Sequence, residues 1–145
     1  MFELALTDFR QFARPLFKPG FLGEKWPTVD YYVELLGVRN ASPFFFAQVK
    51  ATTAPLQFCA TSLPIQAAKE KCSKLFRLPG PTYLVGVHEP SRRVFVLSLH
   101  AKPTQGVYNI PLKYELTPAN LKILHDEVAA FWKSSQRKPR GSHFV

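Results

Sequence analysis

Acidic side chains are scarce in this sequence: 10 Asp and Glu stand against 19 Lys and Arg, a net charge of +9 over 145 residues. That shortage excludes an acidic solvating protein, and a 46% hydrophobic content excludes disorder for most of the chain. No stretch approaches the roughly 20 apolar residues of a membrane helix. The start, Met1-Phe2-Glu3, has no basic region ahead of an apolar run, so no signal peptide is expected. A cytoplasmic protein with no membrane partner is the expectation. Cysteine is scarce too, since Cys59 and Cys72 are the only two. Two thiols cannot complete a structural zinc site. Without a secretory signal a disulfide between them is not expected, and both are read as buried reduced thiols. Also missing are internal repeats, a Gly-rich phosphate loop, a Ser-His-Asp pattern and an adenylate signature. His100, His125 and His143 show no ligand spacing.

What is present is a basic, aromatic-rich chain of one-domain length. We expect one domain over 1–134 and a basic, flexible C-terminal tail over 135–145, which carries Arg137, Lys138 and Arg140. With those set aside the body is still basic, which suits a polyanion partner and equally suits a plain solvated surface.

Hydrophobic periodicity organises the body. Phe2, Leu6, Phe9, Phe12 and Ala13 recur at helical spacing over 2–14, and Pro15 ends the pattern. Pro19, Gly20, Gly23 and Pro27 make 18–27 an irregular loop. Val29–Leu36 alternates as a strand, with Asp30, Tyr32 and Glu34 on one face. Pro43–Thr52 is a second strand, and the short link between the two predicts an antiparallel hairpin. Leu56–Ala60 reads as a short strand. Ser62 then caps a helix from Leu63 to about Leu78, with Ile65, Ala68, Cys72, Leu75 and Phe76 as its apolar stripe. Thr82–His88 and Arg92–Leu99 are strands joined by Glu89-Pro90-Ser91. An edge strand is expected within 101–113, and Thr117-Pro118 opens a last helix to Ser134. The order predicts an α/β sandwich around one sheet.

The anomaly is in the second strand. Phe44, Phe45, Phe46, Ala47 and Val49 belong in a buried sheet, yet Gln48 and Lys50 share one face near its end. A lysine there is costly unless its ammonium reaches water, a carboxylate or an anion. If the hairpin brings Asp30 onto that face, an acid, an amide oxygen and an ammonium converge. The grouping suits metal-assisted phosphodiester hydrolysis: Asp30, Gln48 and the Val49 carbonyl as oxygen ligands, Lys50 on the water and the phosphate. From spacing alone, a buried Asp–Lys salt bridge with a hydrogen-bonded Gln is the more ordinary reading of these residues.

Gly23-Glu24-Lys25-Trp26-Pro27-Thr28-Val29-Asp30-Tyr31-Tyr32-Val33-Glu34-Leu35 and Phe46-Ala47-Gln48-Val49-Lys50-Ala51-Thr52 resemble the family called domain of unknown function 4365. So do Pro81-Thr82-Tyr83-Leu84-Val85-Gly86-Val87-His88 and Arg93-Val94-Phe95-Val96. The similarity spans roughly 18–133. That family in turn resembles the PD-(D/E)XK, or restriction-endonuclease-like, nucleases. The resemblance implies a restriction-endonuclease-like three-layer sandwich, a central mixed β-sheet flanked by helices, with a Mg²⁺- or Mn²⁺-dependent nuclease site acting on DNA. The superfamily's first acid falls on Asp30 and its (D/E)-x-K motif on Gln48-Val49-Lys50. Gln in place of the usual acid removes a charge and weakens metal affinity, which favours Mn²⁺ over Mg²⁺.

Many relatives place a further Glu on a first helix; here Glu3 or Glu24 would have to serve. Glu34 lies two alternations from Asp30, about 13 Å along the strand. Lys69, Lys71, Lys74 and Arg77 are candidate phosphate contacts on the helix after the motif strand, with a solvated helix face as the alternative. Trp26 and Tyr31-Tyr32 are candidates for base stacking or for core and loop anchoring. His88 is placed at a turn beside Glu89. Specificity would come from a partner protein, a homodimer or DNA structure. The competing reading is a nuclease-like fold with little catalysis that serves as a nucleic-acid- or protein-binding module.

Overall fold

A computed structural model describes residues 1–7, 14–39 and 41–134. Much of the 2–14 helix pattern and all of the 135–145 tail lie outside the described residues. Among the described residues three α-helices, α1 (Phe2–Thr7), α2 (Lys69–Phe76) and α3 (Pro118–Ser134), accompany seven strands. The strands are β1 (Phe17–Phe21), β2 (Tyr31–Leu35), β3 (Phe44–Thr52), β4 (Ser62–Ala67), β5 (Thr82–His88), β6 (Arg93–Ser98) and β7 (Val107–Pro111).

A five-stranded mixed sheet in the order β1-β2-β3-β5-β6 forms the middle layer. β1, β2 and β3 make an antiparallel meander, and β5 joins β3 in parallel after a crossover carrying β4 and α2. β6 returns antiparallel beside β5. Every residue of β5 is buried, as expected of a strand covered on both faces. One face holds Val33, Phe45, Ala47, Val85 and Val94 beneath α1 and α3, through Phe2, Leu6, Leu121, Leu124 and Val128. The other holds Leu84 and Phe95 beneath α2 and the β4–β7 pair, through Cys72, Leu75, Leu63, Ile65 and Ile110. Two apolar layers sandwich one sheet.

Several expectations need correction. Residues 17–21 form the edge strand β1 where a loop was expected, and Pro19 is tolerated there because an edge strand need not donate on its outer side. Residues 62–67 are a strand rather than the first turns of a helix. Leu63, Ile65 and Ala67 are buried while Pro64 and Gln66 are exposed, a period of two that pairs with β7. The helix begins only at Lys69, with Ala68 before it and no side-chain cap. Ala68 is exposed rather than on its apolar stripe. Leu56–Ala60 is a turn, closed by Ala60 N–H donating to Gln57 O at 3.0 Å. It leaves Cys59 exposed and free, whereas Cys72 is buried. At α3 the expected start holds: Thr117 Oγ1 accepts from Asn120 N at 3.3 Å.

Candidate metal and phosphodiester site

The hairpin register decides whether the candidate residues meet. Tyr31 pairs with Ala47 and Tyr32 with Phe46, and one step back along β2 places Asp30 opposite Gln48. Asp30 N–H donates to Ala47 O at 3.0 Å and completes that step. Beyond it the chain turns away through Pro27–Val29, so β3 from Val49 onward has no strand on its β2 side. The Asp30 side chain takes over there. Its Oδ2 accepts from Val49 N at 2.8 Å and from Gln48 Nε2 at 2.5 Å.

Those two bonds fix the chemistry of the notch. Asp30 Oδ1 accepts nothing among the described residues. Gln48 is only 6% exposed, and its Oε1 is buried with no hydrogen-bond partner. An unpaired buried amide oxygen costs about 1–3 kcal/mol, so a donor or a cation belongs beside it. The Val49 carbonyl shares the open edge, with only a long 3.5 Å contact from Gln48 Nε2. A carboxylate oxygen, an amide oxygen and a peptide oxygen are the neutral-to-anionic set a hard divalent cation takes. The residues fit such an ion, although with a single carboxylate.

Lys50 follows Gln48 on the same face, paired with Gly86 of β5. It is half-buried and makes no hydrogen bond or ion pair among the described residues, so the Asp–Lys salt bridge is not formed. Its positive charge is felt at the buried Cys72 thiol of α2, although burial still pushes that thiol up overall. α2 also holds the loop before Asp30, because Lys71 Nζ donates to the Pro27 carbonyl. That contact engages Lys71, while Lys69, Lys74 and Arg77 are exposed on the same helix.

The remaining candidates do not converge on the notch. Glu3 is exposed on α1 and bonds to Tyr31, whose hydroxyl is pushed up to about 12 by burial first and Glu3 second. Tyr31 packs edge-on against Phe2, with ring centroids 5.1 Å apart, on the helix-covered face opposite Gln48. Glu24 is exposed in a 3₁₀ turn, and Glu34 lies across from Phe44. Among the described residues no group of three His, Cys, Asp or Glu could hold a metal. His88 is buried and structural: Nε2 donates to Ala54 O at 2.9 Å, and Nδ1 accepts from Ser91 Oγ at 2.6 Å. Trp26 is 54% exposed, so it does not anchor the core.

Among the described residues no helix is long and apolar enough to cross a membrane. No family model, no curated protein and no solved structure matches the chain, and the reading of the site rests on its own geometry.

Proposed function

We propose that this protein is a divalent-metal-dependent phosphodiesterase acting on DNA through Asp30, Gln48, Val49 and Lys50. The observation that carries the reading is the buried Gln48 Oε1, left without a partner beside a half-free Asp30 carboxylate. Asp30 Oδ1, Gln48 Oε1 and the Val49 carbonyl would hold Mg²⁺ or Mn²⁺. A cation there supplies Lewis-acid polarisation of the phosphate and a more acidic water. Lys50, two residues beyond Gln48 on the same face of β3, would offset phosphate charge and orient the attacking water. Lys71 keeps the Asp30 loop in register by its bond to Pro27. Lys69, Lys74 and Arg77 offer exposed contacts for the nucleic-acid backbone.

The mixed sheet with helices on both faces agrees with the restriction-endonuclease-like architecture that the sequence resemblance implies. The lone carboxylate favours the second reading, a nuclease-like fold that binds nucleic acid or protein without cutting. Mn²⁺ titration followed by paramagnetic NMR broadening, beside DNA binding in EDTA, separates the two. The catalytic reading predicts that the Asp30 and Val49 amides broaden first and that Asp30→Asn weakens the effect. A binding module predicts salt-sensitive DNA affinity indifferent to metal and to Asp30.

A further inference from the structure

One large side chain on the loop that carries Asp30 is not used by the fold. Trp26 is 54% exposed and lies outside both apolar clusters that cover the sheet. Its backbone is held, since Trp26 N–H donates to Gly23 O at 3.3 Å. Among the described residues its indole has no hydrogen bond and no ring partner. Lys25 and Pro27 on either side are exposed as well. A large aromatic ring left in water four residues before Asp30 is a stacking surface for an unpaired base.

The charge beside it favours a nucleic-acid strand as the occupant. Lys71 Nζ donates to the Pro27 carbonyl, which brings α2 against the Trp26 loop. Lys74 and Arg77 follow Lys71 at three-residue steps, so a cationic row leads away from that loop along one flank of the helix. Cys72 and Leu75 form the buried face, while Lys74 and Arg77 are exposed. Across the loop, β3 and α2, the cations Lys25, Lys50, Lys69, Lys71, Lys74 and Arg77 outnumber the acids Glu24, Asp30 and Glu70 two to one. α2 spans eight residues, about 12 Å, so its flank is a narrow strip.

A duplex keeps its bases paired and would use the cations alone. A single strand uses both features: its phosphates meet Lys74 and Arg77, and one unstacked base covers the Trp26 ring. We propose that Trp26 and the Lys74–Arg77 flank of α2 form a platform for single-stranded DNA, the substrate presented to the Asp30 notch. The presentation to Asp30 rests on the phosphodiesterase reading, whereas the platform itself needs no metal. Negative supercoiling favours unpaired stretches, so a supercoiled plasmid remains a substrate.

The test is fluorescence anisotropy in EDTA with three ligands: a labelled thymidine strand of about 12 nucleotides, its duplex, and an abasic strand of equal length. The single strand should bind about tenfold tighter than the other two and should quench tryptophan fluorescence. Trp26→Ala should lower single-strand affinity about tenfold, abolish the quench and leave the abasic strand unchanged. Trp26→Phe should keep most of the affinity. Lys74→Ala should weaken all three ligands and lower the salt slope by about 1. Tyr114→Ala removes an exposed ring beside the far edge strand β6 and should change nothing. No saturable single-strand binding by about 0.1 mM, duplex binding as tight as single-strand binding, or wild-type affinity and quench in Trp26→Ala overturns the proposal. Without metal present an inactive Asp30 notch leaves these results untouched; cleavage assays judge that reading, and strand preference in EDTA judges this one.

Discussion

Gln48→Glu is the most revealing perturbation of the candidate site. It places a second carboxylate where Gln48 Nε2 now donates to Asp30 Oδ2 at 2.5 Å. The hydrogen bond is replaced by two like charges about 4 Å apart, which at an effective dielectric near 20 repel by about 4 kcal/mol. Asp30 is only half-buried, so solvent screening lowers the expected loss to about 2–3 kcal/mol. For a chain of this size that is a fall in Tm of about 6–9 °C in EDTA near neutral pH. The introduced carboxyl has its folded-state pKa raised above the unfolded value of about 4.3. The penalty is therefore absent below about pH 4.3 and grows as pH rises through the raised folded value. Mg²⁺ at about 10 mM, by binding only the folded pair, should restore most of the loss. Thermal melts of the variant and the wild type, with EDTA or Mg²⁺ at two pH values, read all of this. A variant with wild-type Tm in EDTA and no response to Mg²⁺ would refute both the contact and the cation site.

Four further outcomes are expected. Gly86→Ala places a Cβ 2.8 Å from Leu63 Cδ2 and 3.0 Å from Ile110 Cδ1, so the β4–β7 cover must shift at a cost of about 1–3 kcal/mol by denaturant melts. Gly80→Ala meets Trp132 Cζ2 at 2.6 Å from a backbone held at φ +92°, and should destabilise by about 2 kcal/mol or more; a loss under 0.5 kcal/mol would contradict that packing. A double-mutant cycle between Arg93 and Glu115, a two-pronged pair at 2.9 and 3.0 Å that is partly exposed, should give a coupling of about 0.5–1 kcal/mol that shrinks in high salt. Tyr31 should ionise late in a spectrophotometric titration, at about pH 12. Because that value is raised in the folded state, stability should be intact below about pH 10 and fall as pH rises towards 12.

Where one physical rule governed a segment, the sequence was legible. β2, β3, β5 and β6 alternate or run apolar between turn residues, and α3 opens on a Thr cap and a Pro. Where two rules conflicted, the weaker one was chosen. Leu63, Ile65 and Ala67 alternate cleanly, but Ser62, Pro64 and the charged residues downstream suggested a helix start six residues early. Pro19 and Gly20 read as loop residues because nothing local reveals that β1 lies at an edge. At the site, the shared face of Asp30, Gln48 and Lys50 followed from alternation once the hairpin register was granted. The register itself is set by packing between β2 and β3 and was not readable. Nor was the unpartnered Gln48 Oε1, which depends on where β2 ends and where α2 pulls the Pro27 loop.

The most direct test of the site is plasmid cleavage in Mn²⁺ by the wild type, by Asp30→Asn and by Lys50→Ala, each beside an EDTA control. The account predicts metal-dependent nicking by the wild type alone, with Lys50→Ala still binding Mn²⁺ because its loss removes no metal ligand. Cleavage that persists in Lys50→Ala, or a wild type that binds DNA equally in Mn²⁺ and EDTA and never cuts it, would contradict the account.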